Sequence, residues 1–252
     1  MNPCDKQDCF ITFNTSIVAP IGLFVNNFFV VFLQHKYPMN KIFVGFDPSQ
    51  EVAYQTCKKS LNREVIPLDQ DNLRSQGIYN RVDTNASTPF SLTRFLVPYL
   101  SNYEGWSLFC DSDFLWMCDV DEVFQLADDR YSVMCVQHDY TPKTSIKMMG
   151  QTQHIYPRKN WSSLMLFNNK RCEILNPTTV NVATPGYLHR FQWLFDSEIG
   201  SIPIEYNWLV GYYQETETFK PKALHYTDGG PWLENYKDCE YSDLWKRCNP
   251  LV

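Results

Sequence analysis

Trp106-Ser107-Leu108-Phe109-Cys110-Asp111-Ser112-Asp113-Phe114-Leu115-Trp116 climbs through apolar residues to two aspartates one residue apart, then turns apolar again. The five residues before the aspartates are short-run, aromatic and uncharged, which is the composition of a buried strand. A buried strand that ends on two carboxylates needs a positive partner, because an isolated buried carboxylate costs several kcal/mol or gives up its charge. Open α/β sheets bind ligands at the C-terminal ends of their strands, and a hard divalent cation is the natural partner there. A solvated turn is the bland alternative. Asp-x-Asp is too short a pattern to choose by itself, so the surrounding chain has to decide.

Upstream, Lys41-Ile42-Phe43-Val44-Gly45-Phe46-Asp47-Pro48 reads as a first buried strand running into a loop. Residues 50–61 read as a helix with Ser49 as N-cap and Val52, Ala53, Thr56, Cys57 and Ser60 on one face. Residues 64–68 form a short second strand. Strand, helix and strand in this order make a βαβ unit, which implies a parallel pair. Residues 80–89 are loop-like, and 92–100 read as a helix whose last turn Pro98 disturbs. Downstream, 120–127 are helical, 131–137 a strand, 141–159 a long polar loop and 162–168 a strand. Residues 177–195 are expected to be helical in their second part, and 223–226 end a last strand. No repeat, low-complexity tract or linker divides the chain. The economical architecture is one α/β domain with a mixed sheet over residues 40–252, preceded by an apolar extension over residues 1–39.

Composition narrows the partners. The chain has 252 residues, enough for a substantial core, and a net charge of −6, which argues against nucleic acid. Aromatic residues reach 15%, which suits flat ligands as well as a core. The 9 cysteines are odd in number and contain no Cys-x-x-Cys, so neither a zinc site nor a disulfide framework is indicated, and a reducing compartment is the simpler expectation. Residues 17–33 are apolar but interrupted by Pro20, Asn26 and Asn27. They are a candidate membrane anchor or signal segment. His35, Lys36 and Lys41 on the downstream side would leave the main domain in the cytosol if the segment spans. The expected location is therefore cytoplasmic, either free or membrane-associated.

Beyond the aspartate pair, strand ends offer Asp47 and His225 as further ligands. Two carboxylates and one imidazole suit Mn²⁺, with Mg²⁺ as second choice, and leave positions for phosphate oxygens. His225 precedes Thr227-Asp228-Gly229-Gly230-Pro231-Trp232, where glycines permit close backbone approach to a ligand.

Four stretches then carry a resemblance in a fixed order: Ile42-Phe43-Val44-Gly45-Phe46-Asp47, Thr93-Arg94-Phe95-Leu96-Val97-Pro98, Phe109-Cys110-Asp111-Ser112-Asp113, and Leu224-His225-Tyr226-Thr227-Asp228-Gly229-Gly230-Pro231-Trp232. The chain from about Lys41 to Trp245 resembles the GT-A-fold nucleotide-sugar glycosyltransferases of family eight, the glycogenin and lipopolysaccharide galactosyltransferase group. Two weaker echoes are residues 162–168 and Ile202-Pro203-Ile204-Glu205-Tyr206-Asn207-Trp208. The resemblance implies a GT-A (Rossmann-like) fold with a mixed, mostly parallel sheet, and sugar transfer with retention from a nucleotide-diphosphate donor, a UDP-sugar being favoured, to a carbohydrate or glycoconjugate acceptor. It implies Asp111, Asp113 and His225 as metal ligands. Phe46, Asp47, Arg94, Ser112, Gly229 and Gly230 would contact the nucleotide and metal. Asp111, Asp113 and Asn207 would serve the reaction.

This chain departs from the pattern at two places. The family's Lys before Pro-Trp is Gly230 here, and Arg158 or Lys159 are candidates for its diphosphate-binding charge. Trp161 stands where the family has Asn. No nucleophile stands out, since Glu205 and Asp139 read more simply as structural or sugar-binding groups. Two other functions compete. A nucleotidyltransferase would need a basic Gly-rich loop, which Gly45-Phe46-Asp47-Pro48-Ser49-Gln50 lacks. A non-catalytic sugar-binding protein would not need the intact Asp111, Asp113 and His225.

Overall fold

The computed structural model describes residues 40–82, 88–139, 141, 146–147, 151–152 and 156–250. The stretch 17–33 lies outside them. Among the described residues no helix is long and apolar enough to cross a membrane.

In chain order the elements are β1 (Lys41–Gly45), α1 (Glu51–Leu61), β2 (Ile66–Leu68), α2 (Gln70–Ser75), α3 (Val97–Leu100), β3 (Trp106–Cys110), β4 (Phe114–Trp116), α4 (Asp121–Phe124) and β5 (Val133–Cys135). They continue with β6 (Ile146–Lys147), β7 (Gln151–Thr152), β8 (Leu164–Asn168), α5 (Pro177–Val182), α6 (Pro185–His189), β9 (Ile199–Ser201), β10 (Trp208–Leu209), β11 (Ala223–His225) and α7 (Ser242–Cys248). The main sheet has six strands in the order β2-β1-β3-β8-β5-β9. β1 runs parallel to β2 and β3, and β5 parallel to β9, while β8 is antiparallel to both of its neighbours. The expected mixed, mostly parallel sheet is therefore found.

Alternation explains why this sheet sits between two cores. Side chains point to opposite faces at successive strand positions. Phe43, Phe109, Met165 and Phe167 enter one cluster with Leu96, Val97, Val180 and Leu188. Ile42, Val44, Leu108, Cys110, Leu164 and Leu166 enter another, against Tyr54, Cys57 and Leu61 of α1. Each such fully buried side chain contributes about 1.5–3 kcal/mol of burial. A second, three-stranded sheet in the order β10-β11-β4 shares the second cluster through Phe114, Trp116 and Ala223. Its other face sends Leu115, Trp208 and Leu224 into a third cluster with Trp245 of α7.

Several local expectations are corrected. Ser49 does not cap α1. Asp47 caps a 3₁₀ turn over Pro48–Gln50, accepting from the Ser49 backbone and hydroxyl at 2.9 and 2.7 Å, and α1 begins at Glu51 without a side-chain cap. The helix expected over 92–100 is a 3₁₀ turn, Thr93–Leu96, followed by α3. Pro98 falls in the first turn of α3, where its missing N–H leaves no bond unmade. In 177–195 the helices come early: Asn176-Pro177 and Thr184-Pro185 each pair a side-chain cap with proline at the start, giving α5 and α6. The polar stretch 141–159 contains the antiparallel pair β6–β7. Among the described residues Cys57, Cys110, Cys118, Cys135, Cys172 and Cys239 are free thiols, and Cys248 is disulfide-bonded, where the sequence indicated no disulfide framework.

Candidate functional site

The segment Asp111-Ser112-Asp113 links the two sheets. The Asp111 N–H donates to the Ser163 carbonyl at 3.0 Å, continuing the β3–β8 ladder by one residue. The Tyr226 N–H donates to the Asp113 carbonyl at 3.0 Å, continuing the pairing of β4 with β11. The backbone of both aspartates is thus held from opposite sides. Pairing of β11 with β4 sets His225 opposite Phe114, and their rings stack with centroids 4.5 Å apart. Local pleating thereby delivers Asp111, Asp113 and His225 to one point, with their ligand atoms all within 4.8 Å of one another.

The hydrogen-bond network fixes which nitrogen of His225 faces the carboxylates. The Ser163 hydroxyl donates to the Asn160 carbonyl at 2.7 Å, so toward Asn207 it acts as acceptor. The Asn207 amide nitrogen donates to it at 2.9 Å. The Asn207 carbonyl oxygen must then face His225 Nδ1, at 2.8 Å, and Nδ1 carries the proton. Nε2 is left with its lone pair, 3.4 Å from an Asp113 carboxylate oxygen. Two electron-rich groups that converge in this way repel unless a cation joins them.

This donor set fits Mn²⁺ or Mg²⁺. An ion about 2.1 Å from each ligand spaces those ligands about 3 to 4.2 Å apart, close to the spacing present. Arg94 settles the remaining charge. Its guanidinium meets Asp111 at 2.8 Å, donates to the Ser162 carbonyl at 2.8 Å and lies 4.9 Å from the Phe109 ring. It is buried, and its charge is opposite to that of Asp111 beside it.

The other expected residues have their own surroundings. Asp47 is buried at the end of β1, with its carboxylate engaged in the Ser49 turn. Gln50 joins that turn to the C-terminal motif by accepting from the Trp232 indole at 3.1 Å. Phe46 packs edge-on against Tyr54 at 5.1 Å, and Ser112 is buried between the aspartates. Gly229 has φ +136°, a region L-residues avoid. At Gly230 a Cβ would stand 1.9 Å from the Trp232 ring, so no side chain fits where the resembling family places Lys.

Of the two replacement cations, Arg158 is committed elsewhere, pairing with Asp196 at 2.6 Å and donating to the Arg190 carbonyl at 2.9 Å. Lys159 is buried with Nζ 5.3 Å from the Tyr156 ring centroid. Burial pushes the Tyr156 phenol up; Arg94 opposes this and Asp111 adds to it. Asn207 is fully buried behind His225. Glu205 lends its backbone carbonyl to Lys222, and Asp139 is exposed. Sequence reasoning passed over Tyr156 and His138, which only their long-range neighbours mark, and it included Ser163 only as part of the 162–168 echo.

Comparison with known proteins now has a geometry to meet. No protein-family model matches the chain. Protein CDI of Arabidopsis thaliana is 50% identical over 217 residues, covering 81% of this chain and 84% of its own. The chain belongs to the Protein CDI family. Solved structures show the fold of this chain. The bifunctional glycosyltransferase WbbM aligns with TM-score 0.55 and 15% identity, over 84% of this chain and 50% of WbbM. GlyE of Streptococcus pneumoniae TIGR4 gives 0.56 and 16%, over 84% of this chain and 61% of GlyE. The galactosyltransferase LgtC, crystallised with donor and acceptor sugar analogs, gives 0.52 and 10%, over 84% of this chain and 96% of LgtC. The chain thus spans half of WbbM and somewhat more of GlyE. At these identities the likeness establishes the GT-A fold for this member of the CDI family, as the order of its motifs implied.

Proposed function

We propose that the chain is a metal-dependent glycosyltransferase. It moves a sugar from a nucleotide-diphosphate donor, a UDP-sugar being favoured, to a carbohydrate or glycoconjugate acceptor, with retention. The observation that carries this reading is the convergence of Asp111, Asp113 and His225 on one point at the strand ends of a GT-A fold.

The chemistry follows from charge. A nucleoside diphosphate departs with negative charge that grows as the glycosidic bond breaks, and a bound Mn²⁺ or Mg²⁺ supplies Lewis-acid stabilisation of it. The chain's own residues prepare that environment. Asp111 and Asp113 present carboxylates, and Arg94 keeps the buried pair near neutrality. Asn207 holds the tautomer of His225 that offers a lone pair. Phe46, Asp47 and Ser112 form the nucleotide side, and the Gly229-Gly230 backbone supplies contacts to the phosphates. No nucleophile is assigned in this reading, in which positioning of donor and acceptor is the main contribution.

Slow release of nucleoside diphosphate from a UDP-sugar is the test. It is expected with Mn²⁺ and should stop on adding chelator. Absence of any nucleotide-sugar binding with either Mn²⁺ or Mg²⁺ would end the proposal.

A further inference from the structure

His189 ends α6 and belongs to none of the motifs above. The Thr184 side chain caps the start of that short helix, and Leu188 anchors it in the core. The His189 imidazole is engaged at both nitrogens. Nδ1 lies 2.8 Å from the Ser162 hydroxyl, and Nε2 lies 3.3 Å from the Ser91 hydroxyl. The Phe95 ring meets it edge-on, with centroids 5.3 Å apart. A neutral imidazole has one donor and one acceptor, and a hydroxyl serves as either, so both bonds form in either tautomer.

Both ends of this bridge lead to Arg94. Its Nε donates to the carbonyl of Phe90, the residue before Ser91, at 3.3 Å. Its Nη1 donates to the Ser162 carbonyl at 2.8 Å and lies 2.8 Å from an Asp111 carboxylate oxygen. Arg94 and Ser162 are 68 positions apart, so no local structure sets the gap between the two carbonyls that grip the guanidinium. The His189 ring spans the same gap alongside. Ser163, the next residue, accepts from the Asp111 N–H at 3.0 Å. One short turn therefore holds Asp111 by its backbone and, by way of Arg94, by its carboxylate. A guanidinium is a rigid planar fork, so the direction in which it meets a carboxylate follows from where its other donors are tied.

We propose that His189 is a positioning residue, a strut between Ser91 and Ser162 that fixes Arg94 against Asp111 and thereby the carboxylate offered to the metal. The proposal rests on the metal reading above. Partners that hold a ligating carboxylate in place change metal affinity about 10- to 100-fold when removed.

Two measurements on the whole chain test it: solvent exchange of the Arg94 guanidinium protons in ¹H–¹⁵N spectra without metal, and Mn²⁺ titration by calorimetry. In wild type the Arg94 protons are expected to exchange slowly, as those of a buried and tethered group do. His189→Phe keeps the ring volume and removes both bonds. It is expected to lose the slow exchange and to bind Mn²⁺ about 10- to 100-fold more weakly. His189→Asn, whose amide reaches the place of Nδ1, keeps the bond to Ser162 and should restore part of both. Ser162→Ala removes one hydroxyl, should move both readouts in the same direction, and decides the matter if His189→Phe does not fold. The double variant should lose no more than His189→Phe alone, since the two act through one bond; additive losses make His189 ordinary packing and overturn the strut. Slow Arg94 exchange or wild-type Mn²⁺ affinity in the deciding variant also overturns it and leaves the metal site standing. A wild-type chain that binds no Mn²⁺ removes the metal reading instead, and Arg94 exchange by itself then decides whether His189 fixes Arg94.

Discussion

The Nδ1–H of His225 donates to the Asn207 carbonyl oxygen across 2.8 Å, and both side chains are closed to solvent. This contact decides which face of the imidazole is offered to the aspartates. Asn207→Leu would leave the His225 N–H without its acceptor and the Ser163 hydroxyl without its donor. Each loss costs about 1–3 kcal/mol when buried. A melting temperature lower by several degrees is expected, together with Mn²⁺ affinity reduced about 10- to 100-fold, read by thermal unfolding and calorimetry.

Asp111 and Asp113 should respond differently to the same substitution. Asp111 pairs with Arg94 at side-chain exposures of 16% and 7%, so Asp111→Asn leaves a buried guanidinium uncompensated. Breaking such a pair costs about 3–5 kcal/mol. Asp113 turns its carboxylate to His225, 3.4 Å from Nε2. Asp113→Asn is therefore expected to unfold in urea close to wild type while losing donor hydrolysis by at least about 100-fold. Equal stability losses for the two variants would contradict the assigned role of Arg94.

Restoring the lysine of the resembling motif should harm this chain. Gly230→Lys puts a Cβ into the Trp232 ring and disturbs the indole's bond to Gln50. Overpacking of this kind costs about 1–3 kcal/mol. Gly230→Ala should already show most of the loss in melting temperature, because the first carbon makes the clash.

Stability should depend on pH through His138. Burial lowers its pKa from 6.5 to about 3, with Asn207 opposing. Between those values the unfolded chain binds a proton that the folded chain refuses, so this contribution is fully present above about pH 6.5 and is lost as pH falls toward about 3. The limiting slope is about 1.4 kcal/mol per pH unit. The groups facing the ring are Tyr213, Asn207 and His225. Urea unfolding at a series of pH values should give a flatter profile for His138→Phe than for wild type.

Much of the architecture was legible because strands advertise themselves locally. Leu108, Phe109 and Cys110 alternate between two cores as a period of two requires, and βαβ order implied the parallel pairing of β1 with β2. Helix boundaries were less legible where proline was involved. Pro177 and Pro185 each begin a helix and Pro98 sits in the first turn of one, and a proline reads as a breaker unless the helix start is recognised. The cation pair Arg158-Lys159 could not be resolved from the sequence either, since what separates them is Asp196, 38 positions from Arg158.

The sequence by itself determined that two aspartates end a buried strand and that a histidine ends another, because burial and charge are properties of short stretches. What those residues face was decided by tertiary structure. Register between β4, β10 and β11 brings His225 to Asp113 and Asn207 to His225, the latter pair 18 positions apart, and Ser163 reaches Asn207 across 44. A hydrogen bond chooses the tautomer of an imidazole, and the partners in that bond meet only when the sheets have paired.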